Sequence, residues 1–149
     1  MARLMRGLVA VCCMLIAQPV LAQDAATKAE NKLKAYFSDV AQRVKKEHDP
    51  AEKRDILNRS FARVFKAADR IERMPAFSSV DLRVVAELRS RTQDKFDELN
   101  GLNNYQPVSD AQLNHFADYV VQDMEQARSV VIVTTTTVLL IIILVLLLA

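Results

Sequence analysis

Chemistry in this chain would have to come from few residues. There are two histidines, His48 and His115, and two adjacent cysteines, Cys12 and Cys13. His115 is followed by Asp118 one helical turn on, but the apolar positions Leu113 and Phe116 put it off the core face of its segment. A di-iron bundle needs Glu-x-x-His twice with two further inward glutamates, and no Glu-x-x-His occurs. Neither HExxH nor C-x-x-C-H is present, which removes the helical zinc motif and covalent haem attachment. Non-covalent haem held by His115 and a methionine such as Met74 is the one cofactor arrangement the residue types allow, and it is not expected. With 2 glycines in the chain there is no phosphate loop, and no G-x-S-x-G occurs. The carboxylates fall at helix-surface spacing, as solvated faces do, rather than as an acid/base pair. No catalytic, metal or cofactor-binding residue is therefore assigned, and no enzymatic activity is expected. Of the tyrosines, Tyr36 and Tyr119 flank apolar stripes and are expected to pack. Tyr105, beside Asn103, Asn104 and Pro107, is the candidate exposed binding residue.

The elements that would position such residues begin after an apolar N-terminus. Residues 1–22, MARLMRGLVAVCCMLIAQPVLA, have a basic start at Arg3 and Arg6 and an apolar run from Gly7 to Ala17. Pro19 follows, and Val20 and Ala22 stand at the −3 and −1 positions of a cut before Gln23. This is the pattern of a signal peptide, and its apolar run is short for a span. Both cysteines lie in it, so the exported chain would have neither disulfides nor thiol chemistry.

At the other end, VVIVTTTTVLLIIILVLLLA from Val130 to Ala149 has no charge, glycine or proline. Twenty helical residues span about 30 Å, the thickness of a bilayer's hydrocarbon core. A lone segment in lipid must be helical to satisfy its backbone, and Thr134 to Thr137 can bond carbonyls one turn back. Residues 129–149 are thus expected to form a single transmembrane helix. The signal peptide would place residues 23–128 outside the cytoplasm, in a single-pass arrangement on the periplasmic side of a bacterial inner membrane.

Removing Arg3 and Arg6 from the 20 basic residues leaves 18, equal to the 18 acidic ones. A neutral domain lacks the electrostatic footprint of a nucleic-acid binder. The charge is nonetheless divided. Residues 23–75 hold 13 basic and 9 acidic side chains, and residues 76–128 hold 5 and 9. The halves could complement each other within one bundle or between chains, or could simply form solvated faces with i,i+4 pairs such as Glu30–Lys34 and Asp39–Arg43.

Within 23–128 the periodicity is helical. The first segment, about Asp24 to Glu47, carries Ala26, Ala29, Leu33, Phe37, Val40 and Val44. Asp49-Pro50-Ala51-Glu52 predicts a helix start with Asp49 as N-cap and Glu52 closing a capping box. Leu57, Phe61, Val64, Ala68 and Ile71 form the second stripe, which Pro75 stops. Ser78, with Asp81 at N3 and a Phe77–Leu82 staple, starts the third. Val85, Leu88, Phe96 and Leu99 give its core face, with Thr92 as a weak point. Asn100-Gly101 ends it, with Leu102 expected to pack back on the last turn. Ser109, with Gln112 at N3 and a Val108–Leu113 staple, starts the fourth, whose stripe is Leu113, Phe116, Val120, Met124 and Ala127. No breaker separates this stripe from Val130.

The expected architecture is all-α: a small antiparallel, up-down-up-down bundle of about four helices whose last helix continues into the C-terminal transmembrane helix. Narrow stripes leave open a pair of long hairpins that complete their core by oligomerising. The expected function is that of a membrane-anchored, exported interaction or scaffold protein, binding an unidentified protein partner or itself at the membrane surface. The alternatives are an accessory subunit of a membrane complex docking through residues 130–149, and a small-ligand or haem-binding bundle.

Overall fold

The computed structural model describes the backbone of residues 18–75, 77–126, 143–145 and 147–148, and the side chains of these residues from 31 onward except 80, 81, 125 and 126. These residues form four helices and no strand: α1 (Gln18–Lys46), α2 (Pro50–Glu72), α3 (Ser79–Asn100) and, after a 3-10 turn at Asp110–Gln112, α4 (Leu113–Gln126). The all-helical expectation and the number of helices hold. Most of the predicted signal peptide, residues 1–17, lies outside the described residues, as does most of the 130–149 run. Among the described residues no helix is long and apolar enough to cross a membrane.

The core is built from the stripes. Phe37, Val40 and Val44 of α1 are buried, as are Leu57, Phe61, Val64, Ala68 and Ile71 of α2. Val85 and Leu99 of α3 and Leu113, Phe116, Val120 and Met124 of α4 complete it. Spacings of three and four put each set on one helix face, and burial of that face is the main drive for packing. Leu33, Leu88 and Phe96 pack at its margin, where Phe96 meets Phe65 edge to face at 6.0 Å.

Side-chain ties give the antiparallel order. The Asn58 and Asn100 amides exchange hydrogen bonds of 3.2 and 2.9 Å between α2 and α3, and Arg89 of α3 pairs with Asp69 and Glu72. Lys45 of α1 reaches Asp118 of α4 at 2.6 Å. Backbones pack closely from α4 to α1, from α1 to α2 and from α2 to α3, but not between α3 and α4. Among the described residues the bundle is therefore up-down-up-down with one open seam.

The start of α2 follows the expected N-cap: Asp49 Oδ1 accepts from Ala51 N–H at 2.9 Å, with Pro50 opening the helix. The reciprocal half of the capping box comes from the other side. Glu47 Oε1, not Glu52, accepts the N–H groups of Asp49 and His48 at 3.0 and 2.7 Å. Those two bonds, Asp49's first, hold the Glu47 carboxyl below its ordinary value. Glu52 instead faces Arg59. At α4, Ser109 makes no side-chain bond to the backbone; its hydroxyl donates to Gln112 Oε1 at 2.8 Å, and a 3-10 turn intervenes before the helix. The Val108–Leu113 staple holds, both residues being buried.

Three expectations are corrected. Thr92, read as the weak point of α3, is fully buried because its hydroxyl donates to Leu88 O at 2.7 Å and so needs no outside partner. Leu102 does not pack back on α3: its N–H bonds Asp97 O, while its side chain is 45% exposed. Tyr119, expected to pack, is 42% exposed along the open seam.

The C-terminal stretch adds an observation that periodicity did not suggest. Leu144, Val145 and Leu148 are covered by protein, and Leu144 and Leu148 belong to the same buried cluster as the helical core.

Candidate functional site

Two helix connections meet at one end of the bundle, residues 47–49 and 101–112, and α4 runs away from that end. The longer connection is irregular yet closely held. Gly101 ends α3 at φ +69°, and the Leu102 N–H reaches back to Asp97 O at 2.9 Å, a Schellman closure that uses an otherwise free carbonyl. Asn103 and Asn104 also lie at positive φ, 49° and 69°, a region asparagine tolerates better than most side chains. Asn103 Nδ2 donates to Asp97 Oδ2 at 2.7 Å, and Gln93 Nε2 donates to the other oxygen of that buried carboxylate at 2.8 Å.

Arg54 of α2 holds the loop from inside. Its Nη1 donates to Leu99 O at 2.6 Å, and its Nη2 to Val108 O at 2.6 Å and Asp110 Oδ1 at 3.1 Å. One guanidinium thus ties the last turn of α3 to the entry of α4. Nearby, Lys53 Nζ donates to Asn114 Oδ1 at 2.8 Å. On this held frame Leu102 and Tyr105 are each 45% exposed. The structure places Tyr105, the candidate contact residue, in the open, and adds Leu102 to it.

The open seam starts beside this loop. Glu98, Val108, Gln112, His115, Phe116 and Tyr119 line a shallow cleft of about 310 Å³ between α3 and α4. Lys95 bridges it. Its Nζ donates to Tyr119 Oη at 2.6 Å and to Glu98 Oε2 at 3.1 Å, and it lies 3.9 Å from the Tyr119 ring centroid. Burial by itself would lower the Lys95 pKa. The Tyr119 hydroxyl and the Glu98 carboxylate outweigh it and hold the ammonium above its ordinary value.

A raised folded pKa means that this contribution to stability is intact at neutral pH. It is lost as pH climbs past the unfolded value of 10.5 and through the folded one. We expect the stability gap between the native chain and Lys95→Met to shrink above that value in unfolding curves taken across pH. A gap that stays constant through the alkaline range would show that the ammonium gains nothing on folding.

His115 is exposed on the cleft wall, and His48 is exposed in the shorter connection. Met74 follows α2 at its far end, some 30 Å from Lys53 at 1.5 Å per residue. Because Lys53 touches Asn114, next to His115, His115 and Met74 sit at opposite ends and cannot share a haem. Among the described residues no group of three or more His, Cys, Asp and Glu side chains is placed to hold a metal ion. The sequence signals for the cleft are weak: nothing local sets Lys95 apart from the other charges of α3, and Tyr119 flanks an apolar stripe.

Compared with known proteins, the chain matches no family model, no curated protein and no solved structure.

Proposed function

We propose that the chain is an exported, membrane-anchored interaction protein. Residues 1–22 act as a signal peptide, 23–128 form the helical domain outside the cytoplasm, and 129–149 span the membrane. The domain recognises a protein partner or another copy of itself. The observation that carries this reading is the loop of residues 101–109, in which Leu102 and Tyr105 are exposed while the backbone around them is fastened by Arg54, Asp97 and Gly101. Exposed apolar and aromatic side chains on a frame ordered before binding lose little entropy on contact, and tyrosine is enriched where binding energy concentrates.

The test is site-specific photocrosslinking in cells, with the reactive group at Gln106. A discrete protein adduct should form with the native loop and fall at least about fivefold in the Leu102→Ser/Tyr105→Ser variant, a loss of about 1 kcal/mol. That variant should melt with the native chain, since neither side chain is buried. If no adduct forms at Gln106, and none forms with the group moved to the Tyr119 face, the interaction reading fails.

A second reading, the accessory subunit of a membrane complex, takes residues 130–149 as the docking element, an uncharged apolar run interrupted by Thr134 to Thr137. Exchanging residues 130–149 for an unrelated apolar helix of equal length should then abolish co-purification with the complex; undiminished co-purification would count against it.

A further inference from the structure

The charge division between the halves of the chain becomes a geometric feature in the folded bundle. Arg59, Arg63, Lys66 and Arg70 of α2 and Arg73 at its C-cap follow one another at spacings of four and three, and all five are exposed. Such spacing puts them on one stripe. Arg59 is neutralised within its own helix by Asp55 and Glu52. The later acids of α2, Asp69 and Glu72, are committed to Arg89 of α3. Arg63 stands beside the Tyr36 hydroxyl rather than an acid, and Arg73 Nε donates to Asp69 O. From Arg63 to Arg73, about 15 Å of chain, the stripe therefore carries four cations with no carboxylate paired to them among the described residues.

The opposite sign collects at the open seam. Asp94 is exposed on α3, Glu98 lies one turn further on, and Asp123 on α4 is near enough to act on Lys95 across the gap. Among the described residues Lys95 offsets them, buried beneath Tyr119. The seam also offers what an arginine-bearing helix needs besides charge: an aromatic ring 42% exposed, and an apolar floor of Val108 and Phe116. Among the described helices it is the side where neighbours do not pack closely.

We propose that the α3–α4 seam of one copy receives the basic α2 stripe of a second copy. The two faces differ, so the contact is heterologous and repeats from chain to chain. On anchored chains it would build rows or clusters in the plane of the membrane. This deepens the self-association branch of the function proposed above and rests on it. The partner is chosen on charge: the two halves of residues 23–128 are equal and opposite, +4 and −4 from 13 against 9 and 5 against 9. The acidic surface that fits the stripe is thus present in every copy at the same concentration. A nucleic acid or an anionic lipid would leave the acidic seam unexplained.

The test uses the full chain in mild detergent, with association followed by sedimentation and by energy transfer between labelled copies. One variant reverses the stripe (Arg63→Glu/Lys66→Glu/Arg70→Glu), the other the seam (Asp94→Lys/Asp123→Lys). Native protein should associate reversibly and at least about tenfold more weakly at about 0.5 M than at about 0.05 M salt, because rim charges are screened. Each variant alone should be monomeric, with native helicity. Their equimolar mixture should associate again, since each supplies the face the other lacks; this recovery also excludes misfolding as the cause of the losses.

Association of either variant like the native chain would overturn the proposal while leaving self-association through another surface. A mixture that stays monomeric while native protein associates would overturn it too. A native chain monomeric at every concentration would remove it as well, and the interaction reading would then stand or fall on adducts with a different protein. If the stripe variant loses only binding to anionic vesicles and keeps native association, the stripe serves a lipid surface and the proposal is wrong.

Discussion

Replacing Arg54 with alanine should cost about 3 kcal/mol of folding stability, the largest effect we expect from one side chain outside the apolar core. The guanidinium makes three hydrogen bonds, two of them at 2.6 Å to the backbone carbonyls of Leu99 and Val108. Bonds from a charged donor are worth about 1.5–3 kcal/mol each, and an orphaned buried acceptor costs about 1–3 kcal/mol. Arg54 is a quarter exposed, its side chain 26% open to solvent, so water recovers part of that loss and the simple sum is too high. Arg54→Lys should recover little, because an ammonium cannot reproduce a planar fork that spans two carbonyls. Denaturant unfolding of both variants measures this directly. A loss under about 0.5 kcal/mol for alanine, or a lysine variant as stable as the native chain, would show that the loop is held by something else. The consequence for function is specific: Arg54→Ala should loosen the loop at temperatures where the chain is still folded, and so lower the yield of adduct at Gln106.

Gly101→Ala should cost about 2–3 kcal/mol for two separable reasons. The residue lies at φ +69°, where a side chain costs about 1–2 kcal/mol. An added Cβ would also lie 2.8 and 2.9 Å from Cδ and Cβ of Pro107 and 3.0 Å from its nitrogen. A pyrrolidine ring cannot rotate away, so the loop would have to shift. Combining Gly101→Ala with Pro107→Gly, which removes both ring carbons that the added Cβ would meet, separates the two. The double variant should regain the part due to the ring and keep the part due to φ, giving a coupling of about 1 kcal/mol. Strict additivity would mean that the ring does not confine position 101. Together the two positions explain how a nine-residue irregular connection stays ordered: a glycine allows the turn, a proline closes over it, and an arginine satisfies the carbonyls it leaves exposed.

How much of this could be read from the chain depends on the range of the interaction. Leu57, Phe61, Val64, Ala68 and Ile71 were legible as a buried stripe because helical periodicity is a local property, and burial follows from it. Asp49-Pro50 was legible as a helix start because an N-cap acts over two residues. Glu47's role there was not, since a carboxylate can cap from either side, and the direction depends on how the chain leaves α1. Leu102 failed for a related reason. Its N–H does return to α3 as a Schellman closure requires, but that bond fixes the backbone and not the side chain, which stays 45% exposed. Tyr105 was legible as exposed only because asparagine, glycine and proline around it mark a connection.

The sequence by itself determined that the described part of the chain is helical, which face of each helix is apolar, and, within a few residues, where the helices begin and end, except that α1 begins at Gln18 and runs through Pro19 rather than starting near Asp24. Spacing, capping and proline placement act within one or two turns, so no distant contact is needed to read them. Tertiary structure alone decided that α3 and α4 stand apart, and that Lys95 is buried under Tyr119 to bridge them. It decided too that Arg54 reaches residues 45 and 54 positions away. These are choices among partners far apart in sequence. A lysine at position 95 has the same local signature whether it faces water or a tyrosine, and only the packing of four helices brings the second residue within 3 Å of the first.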